Sequence, residues 1–159
     1  MASGSNSGVS NGNQTTTNNA ALKEQVAKNE KLFSENYVKE VLPQSSPLKI
    51  PKSATVSQQK KDGYDQVKYS WFRGKYKYIS RWHTRTPNAP ADQGNTWVAE
   101  RRKPGIGYGP NARKAVNEVL VGKNKWVSKK EWNAAVYANK KGTATEKQKE
   151  MLKNGHWKA

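Results

Sequence analysis

"QVKYSWFRGKYKYISRWHT", residues 66–84, decides the fold. Hydrophobic and polar side chains alternate along "QVKYSWF" and again along "KYKYISRWHT". A period of two is the mark of a β-strand with one face packed. Arg73 and Gly74 lie between the two runs, so the pair reads as a hairpin. If the second strand runs to residue 85, Lys75, Lys77, Arg81, His83 and Arg85 point one way and Tyr76, Tyr78, Ser80 and Trp82 the other. The hairpin therefore separates a cationic face carrying a histidine from an aromatic face suited to packing.

Downstream, "PNAPADQG" reads as a loop and "NTWVAER" as a third strand. "KPGIGYGP" is a glycine-rich connection without the GK[ST] ending of a phosphate loop. "NARKAVNE" suggests one or two helical turns and "EVLV" a fourth strand. Ser128 and Glu131 form a capping box, with Val127 and Trp132 placed as a hydrophobic staple. That helix runs to Lys141 and stops at Gly142. A second helix starts at Thr143 or Thr145 and ends at Gly155, just before His156. His156 itself reads as a helix-terminal packing residue, with a return of the tail to the site as the alternative. The expected class is α+β: a small antiparallel sheet with packed helices and a C-terminal helical pair.

Upstream the character changes. Residues 1–19 are mainly Gly, Ser, Asn and Thr, a flexible linker or an expression remnant. Leu22, Val26, Phe33, Tyr37 and Val41 mark a helix over residues 20–42, ended by Pro43. Residues 43–62 carry three prolines and read as a second linker, leaving 63–159 as the compact domain.

The chain of 159 residues carries 29 basic and 12 acidic groups, a net charge of +17. Residues 1–62 hold 8 basic and 5 acidic side chains, whereas 63–159 hold 21 and 7, giving +3 and +14. Such a field captures polyanions, with nucleic acid the first candidate, an anionic membrane surface the second and an acidic protein the third. All six tryptophans lie from Trp71 onward, most of them expected in the core. The absence of cysteine excludes disulfides, thiolate catalysis and thiolate metal sites. No apolar run approaches the roughly 20 residues of a membrane span, so membrane insertion is not expected.

His83, Glu100 and the arginines Arg81 and Arg85 form the set needed to cleave RNA without a metal. One group takes the 2′-OH proton, another protonates the departing 5′-oxygen, and arginines neutralise the growing charge. Lys77, Thr84, Thr86, Arg101, Arg102 and Lys103 are the expected nucleic-acid contacts, although a local cap is the favoured role for Thr84 or Thr86. Metal-dependent DNA cleavage is the rival, with a one-metal site from Glu100, His83 and Asp92. A non-catalytic binding module, in which arginines hold phosphates and aromatics stack bases, is the third alternative. No cofactor is expected, and a divalent ion only under the DNA-cleaving alternative.

Taken together, "SRWHTRTPNAP", "QGNTWVAERRKPGIG", "NKWVSKKEW" and "GTATEKQKEMLKNGHWK" resemble the C-terminal toxin domains of LXG-type polymorphic toxins of Gram-positive bacteria, over about residues 64–159. The resemblance implies a nuclease, usually a ribonuclease, exported by a type VII route within a larger toxin and acting in the target cell's cytoplasm. It also implies a cognate immunity protein, expected to be acidic from the charge of the domain. The helical LXG delivery region has no counterpart here, and residues 1–62 look like a linker with its last helix. No catalytic residue is carried over from the family.

Overall fold

The computed structural model describes residues 31–87 and 89–159. Seven antiparallel strands form one sheet: β1 (Thr55–Lys60), β2 (Asp65–Arg73), β3 (Tyr76–His83), β4 (Thr96–Lys103), β5 (Val116–Leu120), β6 (Trp126–Ser128) and β7 (Trp157–Lys158). The first six lie side by side in chain order. Two strands share the far edge of β4. Its second half pairs with β5, Glu100 opposite Val119, and its first half with β7, Trp97 opposite Trp157. Two helices, α1 (Lys129–Lys141) and α2 (Glu146–Gly155), complete the α+β fold as the expected C-terminal pair.

The hairpin forms as its alternation dictates. Arg73 pairs with Tyr76, so the turn is Gly74–Lys75, one residue later than the sequence suggested. Gly74 adopts φ 62°, a left-handed conformation that costs glycine least. Each face of the sheet is covered by a different part of the chain. On one, Val67, Tyr69, Trp82 and Trp97 pack against Val38 and Leu42 from an irregular helical stretch, Tyr37–Val41 followed by Leu42–Ser45. Polar contacts fix this layer: Tyr69 donates to the Val38 carbonyl, and Trp97 Nε1 donates to Ser45 Oγ at 2.9 Å. On the other face, Val98, Val119 and Val121 pack against Trp132 and Ala135 of α1 and Leu152 of α2.

The helix ends follow their sequence signals. Ser128 Oγ accepts from the Glu131 N–H at 3.1 Å and donates to Glu131 Oε1 at 3.2 Å. The Ser128 cap thus forms without the reciprocal backbone bond of the expected capping box, and Gly142 closes α1 at φ 74°. Of the two candidate starts for α2, Thr145 is the cap, with a reciprocal bond from its N–H to Gln148 Oε1.

Three expectations are corrected. Within the supposed linker 43–62, residues 55–60 form strand β1, paired along its whole length with β2. Its "TVSQQK" contributes one large apolar residue, Val56, so alternation was nearly invisible. The expected helical turn at "NARKAVNE" is instead a bridge between Arg113 and Ile106 followed by β5. Pairing with the long β4 overrides a weak local helical preference. Of the helix expected over 20–42, residues 20–30 lie outside the described residues. Leu32 and Phe33 are not helical and donate their N–H groups to Gln58 Oε1.

Gly155 is required for closeness rather than for a turn. A Cβ there would lie 2.3 Å from Trp132 Cζ3 and 2.6 Å from Cη2. Gly155→Ala is expected to cost about 1–3 kcal/mol by overpacking, read as a lower urea midpoint at unchanged slope.

Candidate functional site

The pairing registers set out the α-helix side of the sheet as a grid. Gln66, His83, Thr96 and Lys158 form one cross-strand row, and Lys68, Arg81 and Val98 the next. Ser70, Ile79, Glu100 and Val119 follow, then Phe72, Lys77, Arg102 and Asn117. His83, Arg81, Glu100, Lys77 and Arg102 therefore share one face, as the acid–base expectation requires.

Two of these rows place like charges directly opposite each other, Lys68 against Arg81 and Lys77 against Arg102. Such pairs destabilise a sheet. Lys68 carries the consequence. Burial, then the charges of Arg81, Lys77, Arg102 and Lys61, hold its ammonium below the ordinary lysine value. Neither Lys68 nor Lys77 is ion-paired with a carboxylate among the described residues.

Glu100 is the one carboxylate in the cluster and is only 2% exposed. It contacts Arg81 Nη1 directly, Lys129 Nζ at 2.6 Å and Arg102 Nη2 at 3.6 Å. Lys129 reaches it from the first turn of α1, directly after the Ser128 cap. Burial pushes the carboxyl up, but Arg81 and Lys129 outweigh it and the net shift is downward. Glu100 is thus an ionised anchor that orients Arg81. Four residues of strand, about 13 Å, separate His83 from the position opposite Glu100, with Arg81 between them.

His83 ends β3 and is 9% exposed. Its Nδ1 lies 3.2 Å from the Thr84 carbonyl, which only accepts, so Nδ1 carries the hydrogen and Nε2 the lone pair. The chain's other histidine lies beside it. His156 follows α2, and β7 holds it against the sheet with its ring 6.2 Å from that of His83, edge to face. His156 Nδ1 donates to the Leu152 carbonyl at 2.6 Å, leaving its Nε2 free too. Trp132 lies against His156 at 5.2 Å, and Tyr64 against His83 at 5.9 Å. The buried side-chain polar atoms lacking a partner among the described residues are Trp82 Nε1 and Thr96 Oγ1. Neither imidazole Nε2 has a hydrogen-bond partner among the described residues.

Burial holds both imidazoles below the usual histidine value. For His83 the Thr84 carbonyl opposes this, while His156 and Arg81 add to it; for His156 the Leu152 carbonyl opposes it. As pH falls through about 6.5 the unfolded chain takes up protons that the folded chain refuses, so stability declines. The urea midpoint is expected to drop between pH 7 and 5, and to drop less in a His83→Asn/His156→Asn double variant.

The remaining candidates lie elsewhere. β3 ends at His83, so Arg85 does not continue the face. Its Nε and Nη2 donate to the Pro90 and Ala89 carbonyls at 3.0 and 2.6 Å, bracing the loop. Thr84 is a cap, its Oγ1 accepting from the Asp65 N–H at 2.9 Å. Thr86 lies in the same turn, its carbonyl accepting from Ala89. Arg101 points to the opposite face, bonded to Glu118 at 2.7 Å and stacked between the Tyr76 and Trp126 rings. Lys103 joins it there, over Tyr76. Asp92 sits in the exposed loop before β4, and no group of three His, Cys, Asp or Glu side chains with metal-site geometry occurs among the described residues.

Lys68 and Lys129 are the site residues that sequence reasoning missed, and His156, expected chiefly as a packing residue, lies beside His83. Compared with protein-family models, curated proteins and solved structures, the chain matches none.

Proposed function

We propose that this chain is a metal-independent endoribonuclease and the toxic domain of a larger protein used in competition between bacteria. The observation that carries the proposal is the pair of like-charged cross-strand rows, Lys68–Arg81 and Lys77–Arg102, beside two free imidazoles. A sheet face that repels itself is relieved by an anion, and a phosphodiester is the anion on which an imidazole has work to do. Arg81, oriented by Glu100, takes the non-bridging oxygens and neutralises charge developing in the transition state. His83 transfers a proton at one of the two reacting oxygens. Glu100 serves as the anchor of Arg81 rather than as the base, because its oxygens are committed to three cations.

The toxin assignment draws on the resemblance to LXG-type toxin domains, which brings export by a type VII route and action in the cytoplasm of the target cell. An acidic immunity protein covering the same cationic face follows from the charge, with fast and salt-sensitive association.

Labelled RNA and DNA incubated with the purified chain, with and without EDTA, test the proposal. RNA is cleaved in EDTA to products ending in 2′,3′-cyclic phosphate. DNA cleavage abolished by EDTA makes the chain a metal-dependent DNase. Binding without cleavage makes it a nucleic-acid-binding module, with a log–log salt slope of about −0.7 per phosphate on single strands.

A further inference from the structure

We infer that His156 is the second catalytic residue of this site, the general acid that protonates the departing 5′-oxygen while His83 acts as the base. The inference rests on the ribonuclease proposal and assigns the proton traffic within it.

Spacing comes first. Each proton-transferring nitrogen must come within about 3 Å of its oxygen. The two oxygens flank a single phosphorus, about 3 Å apart. The two groups can therefore stand no more than about 9 Å apart. The His83 and His156 rings, 6.2 Å apart, satisfy this, whereas Glu100 lies beyond Arg81 along the strand. Preparation comes second. Both rings are clamped through Nδ1 to a backbone carbonyl, Thr84 for one and Leu152 for the other. Each therefore presents Nε2 in a fixed direction, with no protein partner among the described residues. A packing histidine needs no free Nε2.

The division of labour follows from charge. His83 stands next to Arg81, in the row adjoining the Lys68–Arg81 pair, where a further positive charge is disfavoured. It is the better base. Burial disfavours the imidazolium at both rings, but His156 caps the C-terminus of α2, where the negative end of the helix dipole and the Leu152 carbonyl oppose that burial and no arginine adds to it. It is the better acid. His83 Nε2 takes the 2′-OH proton as the O2′–P bond forms. The P–O5′ bond breaks with its electron pair on O5′, and that oxygen takes the proton from His156 Nε2. The products are a 2′,3′-cyclic phosphate and a 5′-hydroxyl, and exchange with water returns each imidazole to its starting state.

A leaving-group substitution tests this. His156→Asn keeps a donor for the Leu152 carbonyl but no transferable proton. It is expected to slow cleavage of ordinary RNA by about 10²–10⁴-fold. On RNA with a bridging 5′-phosphorothiolate it recovers to within about tenfold of wild type, since a thiolate departs without a proton. His83→Asn stays slow on both substrates. Equal losses of His156→Asn on both substrates, or wild-type rates on ordinary RNA, overturn the inference and leave the ribonuclease proposal standing. Failure of the wild-type chain to cleave RNA overturns both.

Discussion

Glu100→Ala is expected to destabilise the fold by about 3 kcal/mol, the low end of the range for breaking a buried ion pair. The substitution removes the one carboxylate from a cluster of Arg81, Lys129, Arg102, Lys68 and Lys77 and leaves their repulsion uncompensated. The loss is moderated because the Arg81 and Lys129 side chains keep 22% and 31% exposure and can turn towards water. Urea unfolding measures it. Sulfate should restore more of the variant's stability than chloride at equal ionic strength, because a bound divalent anion replaces the missing charge. Equal recovery in both salts would show general screening in place of an anion site. The sign with pH is fixed as well. Glu100 has its carboxyl held below the ordinary value of 4.5, so its contribution is complete above that value and disappears as the folded carboxyl protonates. Glu100→Ala therefore loses part of the wild type's acid sensitivity.

His83→Asn is expected to lower the rate of RNA cleavage by about 10²–10⁴-fold with little change in affinity. Asparagine keeps a donor for the Thr84 carbonyl and leaves Lys68, Arg81, Lys77 and Arg102 in place to hold phosphate. Single-turnover rates and equilibrium binding to a 2′-deoxy analogue at one salt concentration separate the two effects. A parallel loss of binding would make His83 a substrate contact instead of a proton carrier. Arg81→Ala should behave differently, weakening affinity and its salt dependence as well as rate.

The central part of the fold was legible because its signals are local. The alternation at residues 66–84, the Ser128 cap and the stop at Gly142 each need only a few neighbouring residues. The cationic face was legible for the same reason, since Lys77, Arg81 and His83 alternate within one strand. What escaped depends on distant segments meeting. Lys68 joins the site through the register of the hairpin, and placing the turn one residue early hid its position opposite Arg81. Lys129 reads as an ordinary first-turn lysine until α1 lies over Glu100. His156 reads as a helix end until Trp157 pairs with Trp97, 60 residues earlier in the chain by their numbers. Arg85 fails for the opposite reason. Extending a correct alternation two residues too far put a loop brace onto the cationic face.

The two-residue strand β7 gives the site an unequal mechanical footing. His83 is rooted in the middle of the sheet, with β2 and β4 on either side. His156 is moored by two ladder pairs, the bond from Trp157 Nε1 to the Leu120 carbonyl, and Ala159 N–H to the Asn95 carbonyl. Peeling so short a segment from the sheet requires far less free energy than unfolding the domain. Under the proposed mechanism the tail would work as a latch: a brief local opening would carry one imidazole away while Lys68, Arg81, Lys77 and Arg102 stay assembled on the sheet. On that proposal, folding and phosphate binding would be separable from readiness to transfer a proton.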